Sequence, residues 1–245
     1  MATFVLVPGA WLGGWCWQRV TLQLRAAGHE VYTPTLTGLG ERVHLGMPAT
    51  DLETHIADVV NLLEFEDLRD VVLVGHSYAG IVVAGVADRC AERIALVVYL
   101  DTAPSEDGES SLDFFPPEEQ EEVRQQVAAE GDGWRLPPLP FAQVPMAGTF
   151  AGLTTDDRAL LAAKAVPQPF GTYTQPLRLA HAGEGNYRRA IIACNDFREI
   201  VGTGMPRFQQ FLAAPWERRD LDTGHWPMFS APGELAKALV SLAAR

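Results

Sequence analysis

The sequence has few cysteines, no long apolar run and no excess of positive charge. Its three cysteines, among 245 residues, are widely spaced and lack the paired spacing of a metal site. We interpret them as small buried residues in a reducing compartment. The formal net charge of −12 argues against nucleic acid as a partner, because phosphate binding requires a basic surface. No segment approaches the roughly 18 consecutive apolar residues of a membrane span.

The N-terminus lacks the positively charged region of a signal peptide. Pro8 and Gly9 interrupt its apolar run early, which favours a first strand over a targeting segment. We therefore expect a cytoplasmic protein without a membrane partner. A chain of this length fits one large α/β unit, and the sequence leaves a homodimer open.

Short apolar runs alternate with helix-like stretches, which predicts a parallel sheet covered on both faces. Six runs are predicted as strands: Phe4–Val7, Glu30–Pro34, Val71–Val74, Ile94–Leu100, Ala190–Cys194 and Glu217–Leu221. The expected fold class is α/β, with a doubly wound, mostly parallel six-stranded sheet. Residues 105–181 are rich in proline, glutamate, glutamine and aromatic residues and contain no strand-like run. They predict a helical cap inserted between two core segments, residues 1–104 and 182–245.

Residues 75–79, Gly-His-Ser-Tyr-Ala, join an apolar strand-like run to a run of small apolar residues. This context is typical of a nucleophile elbow, in which a serine lies on a sharp turn between a strand and a helix. Gly75 and Ala79 leave room where the two backbones approach, so Ser77 can adopt a strained conformation with its hydroxyl exposed. The alternative interpretation is an ordinary serine at a strand–loop–helix joint.

A serine nucleophile needs a base, and the base needs an acid that orients it. His225 follows the last predicted strand, which suits the chain order of nucleophile, acid and base; a surface-loop histidine is the alternative. Asp196 ends the strand before the last one and is favoured as the acid. Asp101, which ends another predicted strand, is its competitor.

Two backbone N–H groups are candidates for an oxyanion hole: that of Ala10, in a glycine-rich loop after the first strand, and that of Tyr78. The loop lacks both G-x-G-x-x-G spacing and a Walker lysine, which argues against a nucleotide site. We expect neither a metal nor an organic cofactor. Candidates for lining the substrate pocket, with core packing as the alternative for each, are Trp11, Trp226, Phe115 and Trp134.

Five segments together resemble the α/β-hydrolase superfamily: VLVPGAW (5–11), TGLGER (37–42), GHSYAG (75–80), LDT (100–102) and GHWPM (224–228). Within it, the chain is most similar to the small branch that holds plant methyl-salicylate-type esterases, hydroxynitrile lyases and bacterial relatives. The resemblance implies catalysis by Ser77, His225 and an acid on small carboxylic esters. Trp226 stands where the lyases carry a lysine, which argues against cyanogenesis.

The sequence thus predicts a serine hydrolase that cleaves a small-to-medium, largely apolar carboxylic ester through an acyl-enzyme. Two alternatives stay open. One is a different enzyme on the same site, either a natural-product tailoring enzyme or a C–C lyase. The other is a ligand receptor that keeps the hydrolase pocket without turnover.

Overall fold

A six-stranded sheet forms the centre of the computed structural model, which describes residues 1–143, 148–181, 185–202, 208 and 215–244. Every neighbouring pair of strands in this sheet is parallel. In spatial order the strands are β2 (Glu30–Tyr32), β1 (Thr3–Val7), β3 (Val71–His76), β4 (Ile94–Leu100), β7 (Arg188–Ala193) and β8 (Glu217–Asp220). Two short strands, β5 (Arg135–Leu136) and β6 (Gln168–Pro169), form a separate antiparallel pair.

The central strands are apolar and buried along almost their whole length. All six residues of β3 are buried, as is β1 from Phe4 onward. Alternate residues of a strand face opposite sides of the sheet. Leu73 accordingly packs in one core with Ile56, while Val72 packs in the other core with Trp17. The expected burial of the sheet on both faces follows directly from these continuous apolar runs.

Helices cover both faces of the sheet. They are α1 (Gln18–Ala26), α2 (Leu52–Phe65), α3 (Ala79–Arg89), α4 (Pro117–Glu130), α5 (Thr155–Lys164), α6 (Gly171–Thr174), α7 (Asn195–Gly202), α8 (Pro227–Ser230) and α9 (Pro232–Ala243). Apolar side chains of α2 and α3 contribute to one core, and those of α1 and α9 to the other. None of the helices in the described part of the chain combines the length and apolarity needed to cross a membrane. The cytoplasmic location and the homodimer stay predictions.

The predicted fold class is confirmed, and all six predicted core strands are present. The segment between β4 and β7 holds α4, α5, α6 and the β5–β6 pair, so the expectation of no strand there is corrected by two strands of two residues each. This segment packs on the loops that follow the sheet: the Val166 N–H donates to the Trp11 carbonyl (3.0 Å), and the His225 N–H donates to the Thr149 carbonyl (2.8 Å). The division of the chain into core and cap stays a prediction, and its boundary at residue 182 lies outside the described residues.

Candidate active site

Ser77 lies on a sharp turn directly between β3 and α3. Its backbone φ is 51°, in the left-handed region that non-glycine residues rarely adopt. The Ser77 N–H donates to the Leu100 carbonyl (3.1 Å), which ties the turn to the neighbouring strand β4. A Cβ atom on Gly75 would lie 2.6 Å from the Ala79 carbonyl oxygen, so only glycine permits this approach of strand and helix. The turn has the geometry that the sequence predicts for a nucleophile elbow.

His225 lies on the loop between β8 and α8 and is hydrogen-bonded to Asp101. Its Nδ1 lies 2.5 Å from the Asp101 Oδ2. Two backbone bonds from the segment between β4 and β7 hold the loop: the N–H groups of Gly224 and His225 donate to the carbonyls of Ala151 and Thr149, respectively. Because Nδ1 is engaged by the carboxylate, Nε2 is the ring nitrogen that is left for a proton exchange with a nucleophile.

Asp101 is the first residue after β4, and its carboxylate is almost fully buried, with a side-chain exposure of 1%. Its Oδ1 accepts a hydrogen bond from the Cys194 N–H at 2.7 Å. Burial by itself raises the pKa of the Asp101 carboxyl, but the hydrogen bond and charge of His225, together with the Cys194 N–H, outweigh it and lower the pKa below its usual value. The carboxylate is therefore ionised at neutral pH and fixes the orientation of the imidazole.

The preference for Asp196 as the partner of His225 is wrong. Asp196 lies in the first turn of α7, where its carboxylate accepts a hydrogen bond from the Thr149 hydroxyl. Both aspartates are plausible from the sequence because β4 and β7 are neighbours in the sheet. This pairing brings the two residues to the same edge of the sheet. Asp101 takes the place at His225 because it follows β4 directly with a φ of 50°, whereas Asp196 lies beyond the end of β7 and is engaged elsewhere.

Two other histidines, His76 and His55, are fully buried near the elbow and neutral. The Nε2–H of His76 donates to the His225 carbonyl (2.7 Å). His55 lies 2.8 Å from both the Tyr78 hydroxyl, through Nδ1, and the Thr37 carbonyl, through Nε2. Burial lowers the pKa of His76, with a further contribution from His225, to about 3. Burial likewise lowers the pKa of His55 to about 4.

Acidification is expected to destabilise the protein through these two histidines. In the unfolded chain a histidine titrates near pH ~6.5, well above the folded pKa values of about 4 for His55 and about 3 for His76. As the pH falls from 6.5 towards those values, the unfolded chain binds more protons than the folded one. The free energy of unfolding then falls by up to ~1.4 kcal/mol per pH unit for each histidine.

Urea denaturation at about pH 7.5, 6.5 and 5.5 measures this dependence. Histidine linkage alone leaves stability fully present above pH ~6.5 and removes it progressively below. The His55→Asn variant should show a shallower slope than the wild type over the same interval. A variant slope equal to that of the wild type would contradict the assignment.

The two backbone donors that were predicted for an oxyanion hole lie beside Ser77. Tyr78 is the residue after the nucleophile, and Ala10 follows β1 and lines the same cavity as Ser77 and His225. In the described part of the chain, neither N–H has a backbone hydrogen-bond acceptor. Both groups stay predicted donors to an oxygen that develops negative charge at Ser77.

Two cavities meet at Ser77. The larger one, of about 370 Å³, includes His225 and Asp101 together with Trp11 and Trp226 in its lining. The smaller one has a volume of about 170 Å³ and lies against α3. Besides Ser77, the two cavities share the rings of Phe115 and Tyr173. A group bound at Ser77 can therefore extend in two directions.

Three of the four aromatic residues predicted to line the pocket do so, namely Trp11, Trp226 and Phe115. Trp134 lines neither cavity that contains Ser77; its ring lies under the Arg135 guanidinium, 5.1 Å from the ring centroid. That prediction is wrong, because the aromatic residues of this segment show no periodicity that separates pocket from surface. Tyr173, which no sequence motif marks, also lines both cavities, and its ring stacks on Tyr78 with a centroid distance of 5.3 Å.

The sequence model of the alpha/beta hydrolase family matches residues 4–238. The chain belongs to this family. A carbendazim hydrolyzing esterase of Nocardioides sp. (strain SG-4G) is 38% identical over 99% of this chain and 100% of its own length. Putative methylesterase 14, chloroplastic, of Arabidopsis thaliana is 27% identical over 98% of this chain and 71% of its own length.

Solved structures agree with the fold of this alpha/beta hydrolase. An extracellular alpha/beta-hydrolase from a Paenibacillus species superimposes with a TM-score of 0.85 at 24% identity, covering 99% of both chains. Together, the relatives confirm the resemblance to the branch with plant methylesterases and bacterial esterases, and they confirm the expectation of a carboxylic ester hydrolase. Among the described residues, no group of three or more histidine, cysteine or acidic side chains is placed to hold a metal ion.

Proposed function

We propose that this alpha/beta hydrolase cleaves a largely apolar carboxylic ester, with Ser77 as the nucleophile, His225 as the general base and Asp101 as the orienting acid. The hydrogen bond between the His225 Nδ1 and the buried Asp101 carboxylate, in the cavity that Ser77 also lines, carries this proposal. It replaces the expected pairing of His225 with Asp196.

The reaction then has two halves. The Ser77 Oγ attacks the ester carbonyl carbon while the His225 Nε2 takes the hydroxyl proton, and the carbonyl oxygen accepts hydrogen bonds from the Ala10 and Tyr78 N–H groups. Collapse of the tetrahedral intermediate breaks the bond to the alkoxy oxygen, which leaves with the proton from His225 as an alcohol. Water, deprotonated by the same nitrogen, then attacks the acyl-enzyme and releases the carboxylic acid and free Ser77.

The walls of the two cavities favour an apolar substrate of moderate size. The smaller cavity, of about 170 Å³, is lined by Tyr78, Ile81 and Phe115 among others. Its volume is close to the ~150 Å³ of an apolar cavity that holds one benzene ring. Exposed apolar side chains extend the lining outward: Leu139 and Ile200 at the larger cavity and Phe114 at the smaller one are 38%, 44% and 41% exposed. Apolar surface at the mouth of a cavity favours binding of an apolar ligand.

The names of the relatives suggest the first esters to be tested. One relative is described as hydrolysing carbendazim and others as methylesterases. We therefore propose methyl esters and related small alkyl esters as the first panel, with the acyl group varied from a short chain to one or two rings. In a second panel, the alcohol is varied at constant acyl group.

Labelling with a fluorophosphonate tests the nucleophile. Intact mass should show one adduct per chain in the wild type and none in the Ser77→Ala variant. Ser105→Ala is the matched control, because Ser105 lines the smaller cavity as a buried serine but lies outside the elbow; it should be labelled as the wild type is. Failure to label the wild type, or labelling that survives Ser77→Ala, would overturn the proposal in favour of a receptor or a reaction without an acyl-enzyme.

A further inference from the structure

Trp11, the residue after the oxyanion donor Ala10, is held by the segment between β4 and β7. Its N–H donates to the Gln168 side-chain oxygen Oε1 at 3.1 Å, and its indole N–H donates to the Leu136 carbonyl at 3.3 Å. Its own carbonyl accepts from the Val166 N–H at 3.0 Å. These three bonds hold a bulky residue at a φ of 65°, where such residues are genuine outliers.

Gln168 is a fully buried polar side chain with a fixed orientation. Its Nε2 donates to the Thr172 hydroxyl oxygen at 2.8 Å, and that hydroxyl donates its only proton to the Pro169 carbonyl at 2.7 Å. Gln168 and Thr172 both have an exposed fraction of 0%. Because the Thr172 oxygen can only accept from Gln168, the amide nitrogen must face Thr172 and the amide oxygen must face Trp11.

We propose that Gln168 is a positioning residue that sets the Ala10 N–H for the oxyanion, an inference that rests on the proposed function. The Trp11 N–H and the Ala10 carbonyl belong to one planar peptide unit. The Ala10 N–H belongs to the preceding unit, whose Gly9 carbonyl accepts from the Leu12 N–H at 3.4 Å. The two units meet at the Ala10 Cα, so a bond to the Trp11 N–H restrains the backbone on the C-terminal side of Ala10 and with it the torsion angles that set the direction of the Ala10 N–H. Gln168 acts on the reaction through this backbone and does not line the cavities at Ser77.

Replacement of Gln168 by leucine should therefore affect the transition state more than substrate binding. Loss of an oxyanion donor costs about 100- to 1,000-fold in kcat, and a misplaced donor should cost less, about 10- to 100-fold. We expect that loss in kcat for hydrolysis of a small ester, with KM changed less than about threefold.

The matched control is Gln175→Leu. Gln175 also joins the segment between β4 and β7 to the core, since its Oε1 accepts from the Glu53 N–H (2.8 Å) and its Nε2 donates to the Asp51 carboxylate (2.9 Å). Among the described residues it is bonded to Glu53 and Asp51 rather than to Trp11, and it does not line the cavities at Ser77. The variant should keep kcat within about threefold of the wild type, because it loses comparable bonds without touching the oxyanion loop.

A boronic acid separates positioning from a general loss of structure. Butylboronic acid adds to a serine Oγ and places a boron-bound oxygen where the oxyanion forms, whereas butyric acid, a trigonal acid product, does not. In Gln168→Leu the inhibition constant of butylboronic acid should rise by about the same factor as kcat falls, and that of butyric acid should change less than about threefold. Thr172→Val removes the hydroxyl that orients Gln168 and that also hydrogen-bonds to the Tyr78 side chain. It should shift both kcat and boronate inhibition in the same direction by about 3- to 10-fold, and only the absence of a shift in this variant is decisive for Gln168.

The outcomes distinguish this inference from the proposed function. If the wild type hydrolyses esters but Gln168→Leu and Gln175→Leu have equal kcat, the positioning role is overturned and the function stands. Equal weakening of boronic acid and butyric acid in Gln168→Leu also overturns it. If Gln168→Leu does not fold, unchanged kcat and boronate inhibition in Thr172→Val overturns it. A wild type without hydrolysis of any ester, or without the fluorophosphonate adduct, overturns both.

Discussion

Replacement of Asp101 by asparagine is expected to lower kcat for ester hydrolysis by about 10⁴-fold, the size of effect seen when the acid of a serine triad becomes an amide. The reason lies in the proton on His225. An asparagine can present its NH₂ group to Nδ1, which then becomes an acceptor and leaves the proton on Nε2, where the base must be free. Steady-state hydrolysis of a p-nitrophenyl ester at neutral pH measures the effect.

Asp196→Asn is the matched control for that variant. It makes the same chemical change in a carboxylate that lines the same cavity but is bonded to the Thr149 hydroxyl. We expect its kcat to stay within about tenfold of the wild type, since no proton on His225 depends on it. A larger loss in Asp196→Asn than in Asp101→Asn would contradict the assignment of the acid and return Asp196 to that role.

Replacement of His225 by alanine should have the larger effect, about 10⁶-fold in kcat. Without the imidazole, the Ser77 hydroxyl has no base, and the leaving alcohol has no proton donor. What is left is the contribution of substrate binding and of the backbone donors, about 10³- to 10⁴-fold over water. Active-site titration before the kinetic assay guards against traces of wild-type enzyme.

His181→Ala controls for the loss of a histidine as such. The His181 side chain is 69% exposed and lies beside Asp88, away from the residues that line the cavities at Ser77. This variant should retain the kcat and the fluorophosphonate labelling of the wild type. A loss below about 100-fold in His225→Ala would show that another group serves as the base.

The elbow and the sheet could be predicted because their signals are local. A buried strand, a small residue at position 75 and a run of small residues after Ser77 are adjacent in the sequence, and they determine the turn through steric contact alone. The six strands and the doubly wound, mostly parallel sheet follow from apolar runs that alternate with helix-like stretches.

The acid could not be chosen from the sequence because the choice depends on strand pairing. Asp101 and Asp196 follow neighbouring strands, so the sequence brings both to the same edge of the sheet. Asp101 differs from Asp196 in two ways: its backbone is in the left-handed region, and its carboxylate accepts a hydrogen bond from the Cys194 N–H. Both features arise only once the sheet is assembled, and the sequence around Asp101 does not predict them.

The role of Gln168 could not be predicted from the sequence for a related reason. A single glutamine between two prolines, in a segment without periodicity, is typical of an exposed loop. Its burial and its bond to Trp11 arise from a contact across 157 positions of the chain. Likewise, Trp134 and Phe115 look alike in the sequence, and only the packing of this segment places Phe115 at Ser77 and Trp134 elsewhere.

The placement of Ser77 and Asp101 has a consequence for the evolution and redesign of this protein. The two residues follow adjacent strands whose last pair is His76 and Leu100, and the Ser77 N–H closes the ladder on Leu100. The spacing between Ser77 and Asp101 is thus set by the pairing of β3 with β4 and does not depend on the length of any loop. Chimeras that import a foreign segment between β4 and β7 should therefore keep this spacing. They should keep the His225 loop in place only where backbone carbonyls of the new segment replace those of Thr149 and Ala151, which accept from the N–H groups of His225 and Gly224. Substrate selectivity can then change by exchange of the segment between β4 and β7, while the spacing of Ser77 and Asp101 stays constant.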